Sequence, residues 1–408
     1  MDAARPTRAK DSKASSVIPE LIAQTGSEGI DSGDLRPTAI SVHRSLERVL
    51  RFEFFLLLAA NLACAPKVLE QPTPQSMPIL PSYKAQVYTL APTQPRDPMV
   101  RDLLGTKPYD ESLAGAATAL SLLLSRGEST DSADVNWACQ RSGWPYLLSA
   151  HRQLILPKDS VPVGLLDGLR LTQHSRLGVV RARSSESDIW VLLQSEVPTP
   201  LAPVAMSYRS GETLDLPTSS EASLAWLAVD PTGALVRPDN RLDLNREGEW
   251  LIEASIEEHV LFRAALYVDM DVPEVPLFET AAEDGSPRDH AEQASEMLSL
   301  AHQIFFAVDT PLQRDPSLDR SAAMALQASL RGQSVSSADL RFEQLGFTRT
   351  PRNEIGCSGA SVRECLDSLF WSATARSQLL DGEHSVLGVA AADLGNDQLA
   401  LLLNLAAE

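Results

Sequence analysis

The sequence predicts an α+β fold in which two related α/β units flank a small antiparallel β domain. Three observations carry that reading. Segments near residue 110 return in the same order 205 residues later; each copy reads as helix, helix and β pair; and the stretch between the copies changes to short alternating apolar runs. Self-similarity over such a distance points to repeated structural units, and switching periodicity points to a change of architecture.

The chain has 408 residues, more than one hydrophobic core usually serves, and its apolar fraction of 44% is ordinary for a folded protein. A net charge of −19 with no cluster of Lys and Arg excludes a nucleic-acid-binding surface, which needs cations to displace counterions from phosphates.

Residues 1–64 read as a Ser/Ala-rich leader followed by a targeting signal. Arg44, Arg48 and Arg51 precede the apolar run Phe54 to Ala63, which ends at Cys64. A basic flank and a short apolar stretch make a secretory signal, too short to span a bilayer. Leu62-Ala63-Cys64 resembles a bacterial lipobox, in which the Cys is lipidated, although Asn61 and Glu53 depart from that pattern. An ordinary signal peptide and a buried helix are the alternatives. Residues 65–99 are rich in Pro, which favours extended conformations, and read as a tether between anchor and body.

Residues 100–196 form the first copy and 296–408 the second. Asp110-Glu111-Ser112-Leu113 returns as Asp315-Pro316-Ser317-Leu318, and Ser132-Ala133-Asp134 as Ser337-Ala338-Asp339. Each copy predicts a helix, Leu113 to Ser125 and Leu318 to Leu330, stopped by Arg-Gly, then a second helix capped by Ser132 or Ser337. Each closes with two β segments, Leu177 to Val180 with Ile189 to Leu193, and Leu387 to Ala390 with Leu399 to Leu403. In the second copy Ser361-Val362-Arg363-Glu364 reads as a capping box. Between the copies, 197–278 predicts a β-sandwich, and 279–295 an acidic linker.

Residues 296–406 resemble the SCP-like (CAP) superfamily of secreted α-β-α sandwich proteins. The likeness rests on Pro311 to Asp319 with the Ala-rich helix after it, on Asn353-Glu354, on Ser372 to Leu380 and on Leu387-Gly388-Val389. The first copy matches only through the internal repeat. The resemblance implies a cleft lined by His and Glu that often binds a divalent metal. Here Met324-Ala325-Leu326 and Ala375 stand where the imidazoles belong, and Glu354 alone keeps its type. One carboxylate cannot hold a transition metal or supply a paired acid and base, so neither metal nor cofactor is expected.

Glu354, Arg376 and the recurring pair His174 and His384 are the candidate ligand-binding residues; a structural turn explains the two histidines equally well. Cys357 and Cys365 flank a helix start and form a candidate disulfide, while Cys139 falls inside a helix as a small buried side chain. Asp239, Asn240, Asp243 and Asn245 match a calcium loop in composition alone. The expected function is a non-catalytic module that binds or scaffolds a protein, lipid or glycan of the bacterial envelope, lipid-anchored at Cys64 to the outer membrane or in the periplasm. A secreted hydrolase centred on Glu354 is the alternative.

Overall fold

The computed structural model describes residues 86–407, apart from 129, 220–222, 258, 274–276, 279–289, 307–310, 334–337, 347–351 and 396–397. The leader, Cys64 and the first part of the Pro-rich segment lie outside the described residues. The fold is of the α+β class, with several small sheets.

The first α/β unit begins earlier than its sequence suggests. Strand β1 (Val87–Tyr88) pairs with a strand more than a hundred residues on, and Tyr88 is buried with its hydroxyl donating to the Ala265 carbonyl at 2.8 Å. Asp110, fully buried, accepts from the Ala91 amide at 2.8 Å as well as from the amides of Ser112 and Leu113. The expected tether therefore does not extend to residue 99: from Val87 onward the Pro-rich segment is packed into the body, because a buried aromatic and a buried carboxylate hold it there.

Helix α1 (Pro98–Leu104) opens on the Asp97 cap. Helix α2 (Glu111–Ser125) and helix α3 (Ser132–Ser142) follow. Asp131, not Ser132, caps α3, in a reciprocal box with Asp134. Strands β2 (Leu148–Pro157), β3 (Ser175–Arg183) and β4 (Ser187–Glu196) form an antiparallel sheet in the order β2-β4-β3.

The β module contains β5 (Val204–Ala205), β6 (Ser207–Tyr208), β7 (Glu212–Asp215), β8 (Ala225–Val229), β9 (Leu235–Val236), β10 (Arg241–Leu244), β11 (Gly248–Ile256) and β12 (His259–Val268). Its main sheet runs β6-β12-β11-β8-β9, with β7 and β10 pairing as a separate ribbon. One departure from the antiparallel expectation is β6, which joins β12 in parallel. The module does not have a core of its own. Leu113, Leu120 and Leu193 of the first unit share one buried cluster with Trp226, Trp250 and Phe262 of the module. Tyr146 meets Phe262 edge-on at 5.9 Å and takes a hydrogen bond from the Leu201 amide, so residue 197 marks a change of architecture and no break in packing.

In the second unit, α4 (His290–Phe306) is followed by β13 (Gln313–Arg314), α5 (Pro316–Leu330), α6 (Ala338–Gln344) and β14 (Arg352–Gly359). Then come α7 (Val362–Phe370), α8 (Ala373–Leu379), β15 (Val386–Gly395) and β16 (Gln398–Ala406). The sheet order is β13-β15-β16-β14. Its three long strands follow the first-third-second order of the first unit, all antiparallel. Corresponding details recur: Asp110 N donates to Leu177 O and Asp315 N to Leu387 O, both at 2.9 Å. Of the Ser361 capping box only half forms: the serine accepts from Glu364 N at 3.0 Å, while the Glu364 carboxylate takes the Ala360 amide.

Two glycines explain how helix and sheet approach so closely. A Cβ on Gly178 would lie 2.4 Å from the Leu113 backbone, and one on Gly388 would lie 2.3 Å from that of Leu318. Neither strand nor helix backbone can yield cheaply there. Gly178→Ala and Gly388→Ala should each destabilise the protein by roughly 1–3 kcal/mol, the usual range for overpacking, as read from urea unfolding midpoints at unchanged m-value.

Candidate functional site

The place to which the family resemblance points is the stretch of β14 that meets α6. Glu354 stands there, opposite Asn404 in the ladder with β16. Its carboxylate pairs with the Arg341 guanidinium from α6, which is buried and also donates to Ser321 Oγ at 3.3 Å. The Asn404 amide, oriented to satisfy both its ends, donates to Glu354 Oε2 at 3.1 Å and accepts from Ala322 N at 3.0 Å. A carboxylate neutralised by a guanidinium and an amide offers little pull on a cation. Of the residues standing for the imidazoles, Ala325 is buried and Met324 is half exposed. Among the described residues no three His, Cys, Asp or Glu side chains come together as a metal site.

The ladder registers also locate the corresponding place in the first unit. Gly178 pairs with Leu193, which faces His151 on β2; Gly388 pairs with Asn404, which faces Glu354 on β14. His151, which sequence alone leaves isolated, therefore holds the position of Glu354. Its Nε2 is buried without a partner, and burial pushes the imidazole pKa down.

Arg376 is buried and committed. Its Nη1 donates to Glu249 Oε1 at 2.8 Å, its Nη2 lies 3.3 Å from the Glu249 carbonyl, and its guanidinium sits 4.8 Å over the Phe305 ring. The residue thus ties α8 to β11 of the β module. Beside it the Ala373 amide at the start of α8 points to Glu253 of β11, and a Cβ on Gly233 would meet the Leu380 carbonyl at 2.0 Å.

The recurring histidines part company. His174 is half-buried on a turn, its ring 3.0 Å from Gln173 Nε2. His384 is buried, with Nε2 3.0 Å from Asn353 Nδ2 and 3.1 Å from the Gln378 carbonyl, while Nδ1 has no partner. Burial pushes its pKa down, and buried His302 of α4 is pushed the same way by burial and by the nearby His384. Glu354 and Arg376 are each engaged with a charge partner, His384 is enclosed beside Asn353, and His174 is half-buried on its turn.

Cys357 of β14 and Cys365 of α7 are joined by a disulfide with Cα atoms 5.4 Å apart. Cys139 is a buried thiol whose pKa burial raises to about 12.

Sequence reasoning missed a further buried guanidinium. Arg363 of α7 reaches Asp131 and Asp134 of the first unit, with Nη1 3.1 Å from both Asp131 oxygens and Nη2 2.8 Å from Asp134 Oδ1. One turn along α7, Asp367 accepts from Asn136 Nδ2 at 2.9 Å and from Trp371 Nε1 at 3.2 Å. The pairs that join α7 to α3 are separated by more than two hundred residues, so no local pattern announces them.

The sequence matches no protein-family model, and no curated protein is significantly similar to it. Among solved structures it is similar to an outer surface protein of Borrelia burgdorferi, at 11% identity and TM-score 0.24, over 29% of this chain and 89% of that one. An extracellular protein containing a SCP domain from Bacillus anthracis matches at 12% identity and TM-score 0.26, over 48% of this chain and 67% of that one. A cysteine-rich secretory protein of Staphylococcus aureus matches at 11% and 0.25, over 56% and 85%. Likeness at this level carries no residue role from one chain to the other. No helix among the described residues is long and apolar enough to cross a membrane.

Two outcomes follow from the burial of these groups. Arg376→Ala should cost about 3 kcal/mol in urea unfolding, since it strands the Glu249 carboxylate against the β module. For His384 the folded pKa lies below the free value near 6.5, so its contribution is present above that pH and lost as pH falls through the window beneath it. The stability difference between wild type and His384→Asn should shrink between pH 7.5 and pH 5; a difference constant with pH would contradict the linkage.

Proposed function

We propose that this chain is an exported, non-catalytic envelope protein, lipid-anchored at Cys64, that binds or scaffolds a protein, lipid or glycan through two degenerate SCP-like units built on one duplicated plan. A β module lies between them. Neither cofactor nor metal takes part, and nucleic acid is not a partner.

One observation carries the non-catalytic reading: the single site carboxylate that survives is spent on an internal ion pair. Glu354 faces Arg341 and Asn404 where a metal-binding or acid–base site would need a second titratable ligand. The equivalent position in the first unit is His151, again a lone group. Arg376, the other candidate, braces α8 against β11. Duplication is supported by the shared strand order, the paired helix caps and the two glycines under Leu113 and Leu318. Export is supported by the basic and apolar run that ends at Cys64.

The non-catalytic reading is tested by adding Zn²⁺ or Ca²⁺ at millimolar concentration to the full chain and following the Tm. No saturable rise is expected in wild type or in Glu354→Gln, whereas a saturable rise in wild type that the variant abolishes would overturn it. For the anchor, mass spectrometry of the native protein should find an amino terminus at a diacylated Cys64; a mature chain still beginning at Met1 would end that part of the proposal.

A further inference from the structure

The contact between α3 of the first unit and α7 of the second holds three carboxylates, Asp131, Asp134 and Asp367, around one guanidinium. Arg363 directs its donors elsewhere: Nη1 to Asp131 and Asp134, Nη2 to Asp134, and Nε to the Phe278 carbonyl. Asp367 lies one helical turn away on the same face and is 5% exposed, yet no guanidinium hydrogen bond reaches it. Its partners are the neutral donors Asn136 and Trp371. Glu364 adds a further negative charge beside Asp131. On the module side, Arg263 of β12 borders Asn136 and Trp371 but is paired with Glu253 at 2.8 Å. Arg363 and Arg263 are therefore each already paired with carboxylates other than Asp367.

We infer that this contact is a proton-operated latch: with Asp367 protonated the two units stay docked, and its ionisation loosens α3 from α7. A neutral carboxyl can be buried at modest cost, but a third carboxylate on one guanidinium adds repulsion from Asp131 and Asp134 that only solvation relieves. Opening the contact exposes Asp367 to water and removes that repulsion. Burial, the largest influence, carries the Asp367 pKa up to about 7, with the Asn136 bond and Arg363 opposing it. The sign follows directly. Between the open-state value near 3.9 and the closed-state value the closed form binds the extra proton, so closure is favoured at low pH and is lost as pH rises through neutrality. The latch needs only the packing of these helices and does not rest on export or on the absence of chemistry at Glu354.

Hydrogen exchange of the full-length protein tests it, followed by mass spectrometry on peptides covering α3 and α7 and corrected for the intrinsic pH dependence of exchange. Opening in wild type should rise up to about tenfold per pH unit between pH 5 and 6.5 and level off above neutrality. Asp367→Asn keeps the shape and the Asn136 contact and should remove the pH dependence. Asn136→Leu deletes a donor that favours the ionised form and should move the rise to higher pH. Opening that is flat from pH 5 to 8 in wild type, an unchanged slope in Asp367→Asn, or an unmoved rise in Asn136→Leu would each overturn the proposal.

Discussion

Buried positive charge organises this molecule. Arg363 and Arg376 lie almost wholly inside it, and a guanidinium cannot lose its proton to escape burial as a lysine can. Each must therefore be met by carboxylates, and those carboxylates sit on other parts of the chain. Arg363 fixes α7 to the cap of α3, while Arg376 fixes α8 to β11. Removing one partner would leave its opposite charge stranded in low dielectric, which makes such pairs strong constraints on geometry even where their net contribution to stability is small.

The same constraint reaches the place where chemistry would be sought. Arg341 on α6 turns Glu354 from a free carboxylate into half of an ion pair, with Asn404 and Ser321 completing the polar network between α5 and the sheet. A network satisfied in this way rigidifies the contact between helix and strand. The residues that look available in one dimension are thus braces in three.

Much of the framework was legible beforehand. The recurring Asp-x-Ser-Leu starts mark α2 and α5 because a capping carboxylate and the apolar face behind it are local features. The β pairs were readable from Leu177-Gly178-Val179 and Leu387-Gly388-Val389, whose glycines lie where α2 and α5 press on the sheet. Cys357 and Cys365, eight positions apart across a helix start, were a visible pair. The rest depends on tertiary partners. Tyr88 and Asp110 hold a Pro-rich stretch against the body through contacts that no periodicity records. His174 and His384 share a sequence context yet differ in burial, His384 lying enclosed near His302 of α4 and His174 half-buried on its turn. Arg341 and Arg363 carry no local signal because their partners are set by how distant helices pack, and the place of His151 opposite Leu193 is visible only in the ladder register.

The claim that buried guanidiniums lock the parts of this chain together is tested most directly by a double-mutant cycle on Arg376 and Glu249, with Arg376→Met, Glu249→Met and the double variant compared by urea unfolding. Coupling of about 2 kcal/mol or more is expected, with the double variant close to wild type once neither charge is left alone. Additive losses, with coupling near zero, would show that this pair is incidental to the way α8 meets the β module.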